Sequence, residues 1–246
     1  MLILLLKNMT KAIFTSVKHD PYFAVWIKYY SRFFKDIFVI KVDLETEDQP
    51  ITKAQTKYKF NVITDYPNLG NSIEAERETI QDFQKKLFNT GYDWVLYSHA
   101  DEIVAPDPDV YKDLNDYIKK CDKDYVFCTG YNVIHVKDDT GQEVESSLDL
   151  NKPVLSQRKY WWKEVGWNKP LLSKVPLNWV NGFHRIEGVH DDDLTTLADP
   201  NLILFHLKQA DYDIFGQRIN NGKNYDWFYK EHGKKELIPE RFKKIF

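Results

Sequence analysis

"YDWVLYSHADEIVAPDP", residues 92–108, is the stretch whose reading decides the fold. An apolar run, Trp94 to Tyr97, gives way to His99, Asp101 and Glu102, and two prolines close the segment. A short apolar run bounded by turn residues reads as a buried strand. Its polar end then puts an imidazole and two carboxylates at the strand's tip. Strand alternation places Val95, Tyr97, His99 and Asp101 on one side. The α-carbons of His99 and Asp101 would be roughly 6–7 Å apart, so their side chains can converge on one ion or on a ligand across the tip. On spacing alone the plainer alternative stands equally: Asp101 and Glu102 cap loop amides while His99 packs.

Outward from this strand, the first half of the chain alternates strand and helix. Residues 11–20 predict a strand running into a polar turn, with Asp20 capping a helix whose first position is Pro21. Phe23, Trp26, Ile27, Tyr30, Phe33 and Phe34 recur at helical spacing and give that helix one apolar face. Residues 36–43 and 57–66 predict strands, with 44–56 an acidic, polar loop between them. Residues 68–91 predict a helix, with Asn71 and Glu74 as a capping box, Gly91 at its end, and Ile73, Ile80, Phe83 and Leu87 as its buried stripe. A further helix is expected from Asp107 and Pro108 to about Cys121. The result is an α/β fold, a mostly parallel sheet flanked by helices, in which ligands bind at the carboxyl ends of the strands.

The second half is more irregular and rich in strands. Strands are expected at 124–136, around 154–160, 170–175 and 179–186, and at 201–207. The stretch "YWWKEVGWNKP" interrupts them, 137–153 reads as an exposed loop, and 210–222 as a helix capped by Asp211. No linker, repeat or low-complexity segment divides the chain.

The whole composition narrows the function. With 34 basic and 37 acidic residues the net charge is −3, which argues against a nucleic-acid binder. Aromatics reach 15%, enough to fill a core and leave flat apolar faces for sugar rings. Two cysteines, Cys121 and Cys128, exclude a disulfide framework and fit a reducing, cytoplasmic setting. "MLILLL" at 1–6 is too short to span a bilayer and lacks a basic flank and a cleavage site, so it reads as a strand or a packed arm. No transmembrane segment is expected.

The stretches "VKHDPYFAVWIKYYSRFFKDIFVIKVD" (17–43) and "DWVLYSHADEIVAPDP" (93–108) resemble glycosyltransferases of the GT-A fold, in the family-2-like and family-92-like group. "KPLLSKVPLNWVNGFHRI" and "LILFHLKQADYDIFGQR" are similar to that group's closing section, where a lysine and two histidines recur. The resemblance implies a single GT-A (Rossmann-like) domain over 1–246, with 1–108 a nucleotide-sugar-binding half and 109–246 an acceptor-binding half. It implies a UDP- or GDP-linked donor, a glycan or other hydroxyl acceptor, and Mn²⁺ or Mg²⁺. Asp101 matches the last aspartate of the family's D-x-D, the usual metal ligand. His99 stands where the first aspartate is expected, so one negative charge is missing; it could bind the metal or the donor's ribose. His206, ending a strand, is the other candidate ligand, with His190 a rival.

For the remaining roles, the chemistry asks for a base and for cations. An attacking hydroxyl must lose a proton, and Asp191 or Glu187 in "RIEGVHDDD" could take it. Lys174 and Arg185 could face the leaving diphosphate. Val17, Lys18 and His19 at the end of the first strand, and Asp43 at the tip of the second, are placed by the resemblance near the nucleotide; Asp65 closes the third strand. Trp161, Trp162 and Trp167 could form an acceptor platform or a lid, or simply pack. A relative that binds without turnover is the second reading, motivated by His99. A nucleotidyltransferase is third, disfavoured because no Gly-rich phosphate loop lies near the N-terminus.

Overall fold

A computed structural model describes residues 9–18, 20–42, 49–66, 72–136, 145–180, 182–211, 213–214 and 235–246. The architecture is α/β, a mixed central sheet flanked by helices. The sheet runs in the order β12-β7-β6-β8-β4-β1-β2-β3, from β1 (Lys11–Val17), β2 (Asp36–Lys41), β3 (Asn61–Ile63), β4 (Trp94–Tyr97), β6 (Tyr125–Ile134), β7 (Tyr160–Lys163), β8 (Pro170–Ser173) and β12 (Glu236–Leu237). Strands β3, β2, β1 and β4 are all parallel. β8 lies antiparallel between β4 and β6, and β7 and β12 continue antiparallel beyond β6. β5 (Glu102–Pro106) pairs only with β11 (Ala198–His206), which in turn lies parallel to β6. β9 (Trp179–Val180) and β10 (Arg185–Ile186) form a separate two-stranded hairpin.

The chain leaves β1 to build β2 and β3 on one side and returns to its other side for β4. Strand order therefore reverses at β1, between β2 and β4. Such a switch point opens a crevice with no crossover loop above it.

Helix α1 (Phe23–Tyr30) explains how the tip of β4 is held. Its apolar face buries Phe23, Trp26, Ile27 and Tyr30 as the spacing requires, each contributing about 1.5–3 kcal/mol as an upper figure. The polar ends of those rings do the positioning. Trp26 Nε1 donates to Ser98 Oγ at 2.9 Å, and Tyr30 Oη accepts from Val104 N at 2.7 Å. Tyr29 Oη donates to the Val104 carbonyl at 3.1 Å. The turn 98–101 is thus clamped from below. The helix begins at Phe23 rather than Pro21 and has no side-chain cap; Asp20 Oδ1 instead accepts from Tyr22 N at 2.9 Å and fixes the turn into the helix.

Several elements depart from expectation. The opening stretch is two strands rather than one: β4 ends at Tyr97 and β5 begins at Glu102, so the alternation of Val95 and Tyr97 does not continue to His99 and Asp101. Part of the polar loop 44–56 is α2 (Gln49–Gln55). α3 (Ile73–Asn89) is capped by Ser72, whose Oγ accepts from Ala75 N at 3.1 Å; Asn71 lies outside the described residues. Ile73 is exposed, whereas Ile80, Phe83 and Leu87 are buried as expected. The helix expected from 107 begins only at Leu114, as α4 (Leu114–Lys120) capped by Asp113. A last short helix, α5 (Leu194–Leu197), precedes β11. The predicted helix 210–222 falls largely outside the described residues, as do 137–144 of the predicted loop 137–153 and residues 1–8. Among the described residues no helix is long and apolar enough to cross a membrane. Cys121 and Cys128 are unbridged.

Candidate functional site

A cleft of about 430 Å³ opens at the β1/β4 switch point. Ser16 and Lys18 reach it from the end of β1, and His99 and Asp101 from the turn after β4. The antiparallel pairing of β5 with β11 sets Glu102 opposite His206, and the parallel pairing of β11 with β6 sets His206 opposite Asn132. Two strands distant in sequence thereby deliver a carboxylate turn and an imidazole to one wall. Sequence separation hides this juxtaposition; the register produces it.

Asp101 and His206 face one another, Nε2 to Oδ2 at 3.7 Å. Both are nearly buried, yet both line the cleft. His206 Nδ1 lies 2.7 Å from Asn132 Oδ1, an acceptor, so Nδ1 carries the hydrogen and Nε2 keeps its lone pair. Burial pulls the His206 pKa down to about 4, outweighing the nearby Asp101 carboxylate. A neutral imidazole lone pair thus points at a carboxylate oxygen, a donor set that fits a divalent cation with mixed nitrogen and oxygen ligands. Among the described residues no third His, Cys, Asp or Glu completes a cage around them.

His99 belongs to a different arrangement. Its Nδ1 is 3.5 Å from Glu102 Oε1, and its Nε2 is 3.8 Å from Glu76 Oε1 at the first turn of α3. Burial alone would lower its pKa, but the Glu102 charge and hydrogen bonds to both carboxylates lift it to about 9. A protonated ring offers hydrogens, not lone pairs. Both ring nitrogens of His99, expected from sequence as a metal ligand, face Glu102 and Glu76 here. Glu102 Oε1 also accepts from the buried Lys169 Nζ at 2.6 Å. Burial would raise the Glu102 pKa, yet Lys169 and His99 hold it well below the usual carboxylate range. Glu102 Oε2 accepts from His99 N at 3.1 Å and closes the turn. Glu76 also accepts from Ser16 Oγ at 3.1 Å.

The far wall comes from the second half. Trp167 stacks on His206 at 4.0 Å with an interplanar angle of 28°, and Lys169 Nζ sits 5.0 Å from the Trp167 ring centroid. His184, on the turn between β9 and β10, hydrogen-bonds the Gly166 carbonyl and packs on Trp167 at 4.8 Å. Burial and the Lys169 charge bring its pKa down to about 4. Phe183 has φ 69°, a left-handed conformation costly for a non-glycine residue. Its ring is buried against Tyr97, His99 and Trp179, which holds the turn over the cleft.

Of the residues expected from sequence, Asp101, His206, His99, Lys18 and Trp167 come together in this cleft. Others do not. Asp191 is exposed and pairs with Arg185 at 3.0 Å; neither lines the cleft, and Glu187 is exposed beside them. The roles of base and diphosphate cation therefore have no geometric support there. His190 is likewise exposed. Lys174 donates to the Cys121 carbonyl and lies over Trp94, the first residue of β4, at the opposite end of that strand from His99. Val17 is buried under the cleft floor. Trp161 and Trp162 lie on β7, not in a loop, and Trp161 packs in the core against Tyr131, Phe205 and Phe242. Asp65 is exposed; Asp43 and His19 lie outside the described residues.

Sequence reading missed Lys169, Glu76, Lys208 and the His184 contact as parts of the cleft. Lys169 carried no signal beyond its place in a tryptophan-rich stretch. Glu76 reads as one of several acids in a helix's first turn, where the macrodipole favours them anyway. Among known proteins, no family model and no curated protein matches the chain.

Proposed function

We propose that the chain is a glycosyltransferase that moves a sugar from a nucleotide-sugar donor to a hydroxyl acceptor. The observation that carries this reading is the switch-point cleft, which combines an Asp101–His206 pair with the cations Lys18, His99, Lys169 and Lys208 on its walls. A donor of this kind brings a diphosphate that must be neutralised as it leaves. The resemblance of 93–108 to the GT-A D-x-D segment supports the same placement.

Asp101 and His206 would hold the divalent ion, Mn²⁺ or Mg²⁺, which supplies a Lewis-acidic charge beside the departing diphosphate. Lys169, fixed by Glu102, and protonated His99 add positive charge that needs no reorganisation. Lys18 and Lys208 stand at the same cleft and draw an anion in. Trp167 offers an aromatic face to a sugar ring. Glu76, which faces His99 and accepts from Ser16, and Asp20, which accepts from Tyr22 N, are the other carboxylates of the cleft wall, and a base for the acceptor's proton would have to come from them. Cytoplasmic action is part of this proposal, from the two unbridged thiols.

The position of His99 favours a second reading, binding of a nucleotide sugar without turnover, because a cation stands where a carboxylate is expected. One assay separates the two. Incubation with a panel of UDP- and GDP-sugars, with and without Mn²⁺, should release nucleotide slowly from one donor, and Asp101→Ala should lower that release by about 100-fold or more. Binding with no release under any condition supports the second reading. Neither binding nor release refutes both.

A further inference from the structure

A second cavity, about 620 Å³, lies between α1 and α2 and is larger than the switch-point cleft. Among the described residues three lysines line it, Lys28 from α1 and Lys53 and Lys57 from α2 and the turn that follows, and no carboxylate does. Lys53 lies on α2 and Lys57 on the turn just after it, so two like charges stand on one rim of the cavity. Both are exposed, and neither has an ion-pair partner among the described residues. Lys28 Nζ donates to the Asn151 carbonyl at 3.2 Å, which ties the cavity's far rim to α1 without neutralising the charge. The floor is apolar: Ile27 and Ala54 are buried there, and Tyr58 presents a half-buried ring.

We infer that this cavity binds an acidic saccharide, one carrying a carboxylate or a phosphate. Three lysines with no compensating acid among the described residues call for an anion, and a ring over an apolar floor suits the C–H face of a sugar rather than a free ion. The volume admits more than a single phosphate. Asp20 lines the first cleft and Pro21, the next residue, lines the cavity. The saccharide class rests on the glycosyltransferase reading; the anion preference rests on the lysines alone.

The test is calorimetric titration of the full chain with four probes: a glucuronate-containing disaccharide, a mannose 6-phosphate-containing disaccharide, cellobiose and inorganic phosphate. At least one acidic disaccharide should bind at least about tenfold more tightly than cellobiose and than phosphate, and the preference should shrink in high salt. Lys53→Gln/Lys57→Gln should remove it by about tenfold while leaving UDP binding unchanged. This variant relieves a repulsion between exposed side chains, so it should fold. Equal binding of cellobiose, equal binding of phosphate, no binding of any probe, or an unaffected double variant would each overturn the inference. Donor hydrolysis in the same preparations is read separately. Hydrolysis without acidic-saccharide binding overturns only this site; binding without hydrolysis keeps the site and overturns the enzyme reading.

Discussion

Three histidines around one cleft are held in opposite states by their neighbours, and that makes stability depend on pH in two directions. Burial opposes charge on all three, but Glu102 and Glu76 reverse the outcome for His99 alone, at about 9, against about 4 for His184 and His206. Unfolded histidines titrate near 6.5. Between about 6.5 and 9 the folded chain holds a proton on His99 that the unfolded chain has lost, so stability falls as pH rises. Between about 6.5 and 4 the unfolded chain protonates His184 and His206 while the folded chain does not, so stability falls as pH drops. Urea unfolding midpoints should therefore peak near pH 6.5, and His99→Gln should flatten the alkaline limb only. A profile that keeps rising to pH 8.5 would mean that His99 is not held as an imidazolium. From sequence, Asp101 and His206 stood out because each follows an apolar run; in the fold Asp101 lies in the turn between β4 and β5, and His206 ends β11. The state of His99 was not, since Glu76 lies far from it along the chain and approaches only through the packing of α3.

At the scale of elements, the far wall of the cleft depends on a glycine in the middle of β6. Gly130 N donates to Asn168 Oδ1 at 2.8 Å, and the Gly130 carbonyl accepts from Glu164 N at 3.2 Å. A Cβ on Gly130 would collide with the backbone carbonyl of Trp167. The absent side chain is what lets the 164–168 turn lie flat on the strand and stack Trp167 on His206. Gly130→Ala should cost about 1–3 kcal/mol in denaturant unfolding and should quench or shift the tryptophan response to nucleotide. Unchanged stability together with an unchanged response would remove Gly130 from this role. A lone glycine inside a strand pattern is a sequence sign of close backbone approach, so this contact was readable in principle. α1 and α3 were legible from their helical apolar spacing, and β1, β2, β4, β6 and β11 because each carries a short apolar run, nearly continuously buried in β1, β4 and β6. α2, "QPITKAQ", has too few apolar residues to show a period. The break between β4 and β5 was hidden because β5 is defined by pairing with β11, about a hundred residues later.

Across the whole molecule, the division at residue 108 into donor and acceptor halves meets a sheet that ignores it. β4 pairs with β8, β5 pairs with β11, and the Lys169–Glu102 ion pair crosses the same boundary inside the core. The buried apolar residues on either side form one cluster. Each half alone would leave strand edges unpaired and one of two buried charges without its counterion, which costs several kcal/mol. The halves should therefore unfold together, and a ligand touching either should stabilise both. If the proposed function holds, a nucleoside diphosphate with Mn²⁺ at a hundred times its Kd should add about 2.7 kcal/mol. For a chain of this size that moves the midpoint by roughly 5–11 °C, at about 2–4 °C per kcal/mol. Scanning calorimetry should show one transition moving as a unit, with the shift reduced in Asp101→Ala. Two transitions, only one of them ligand-sensitive, would show instead that the long-range pairings of β5 and β8 do not bind the halves into one cooperative fold. The cleft would then be assembled between independent parts rather than built into the sheet.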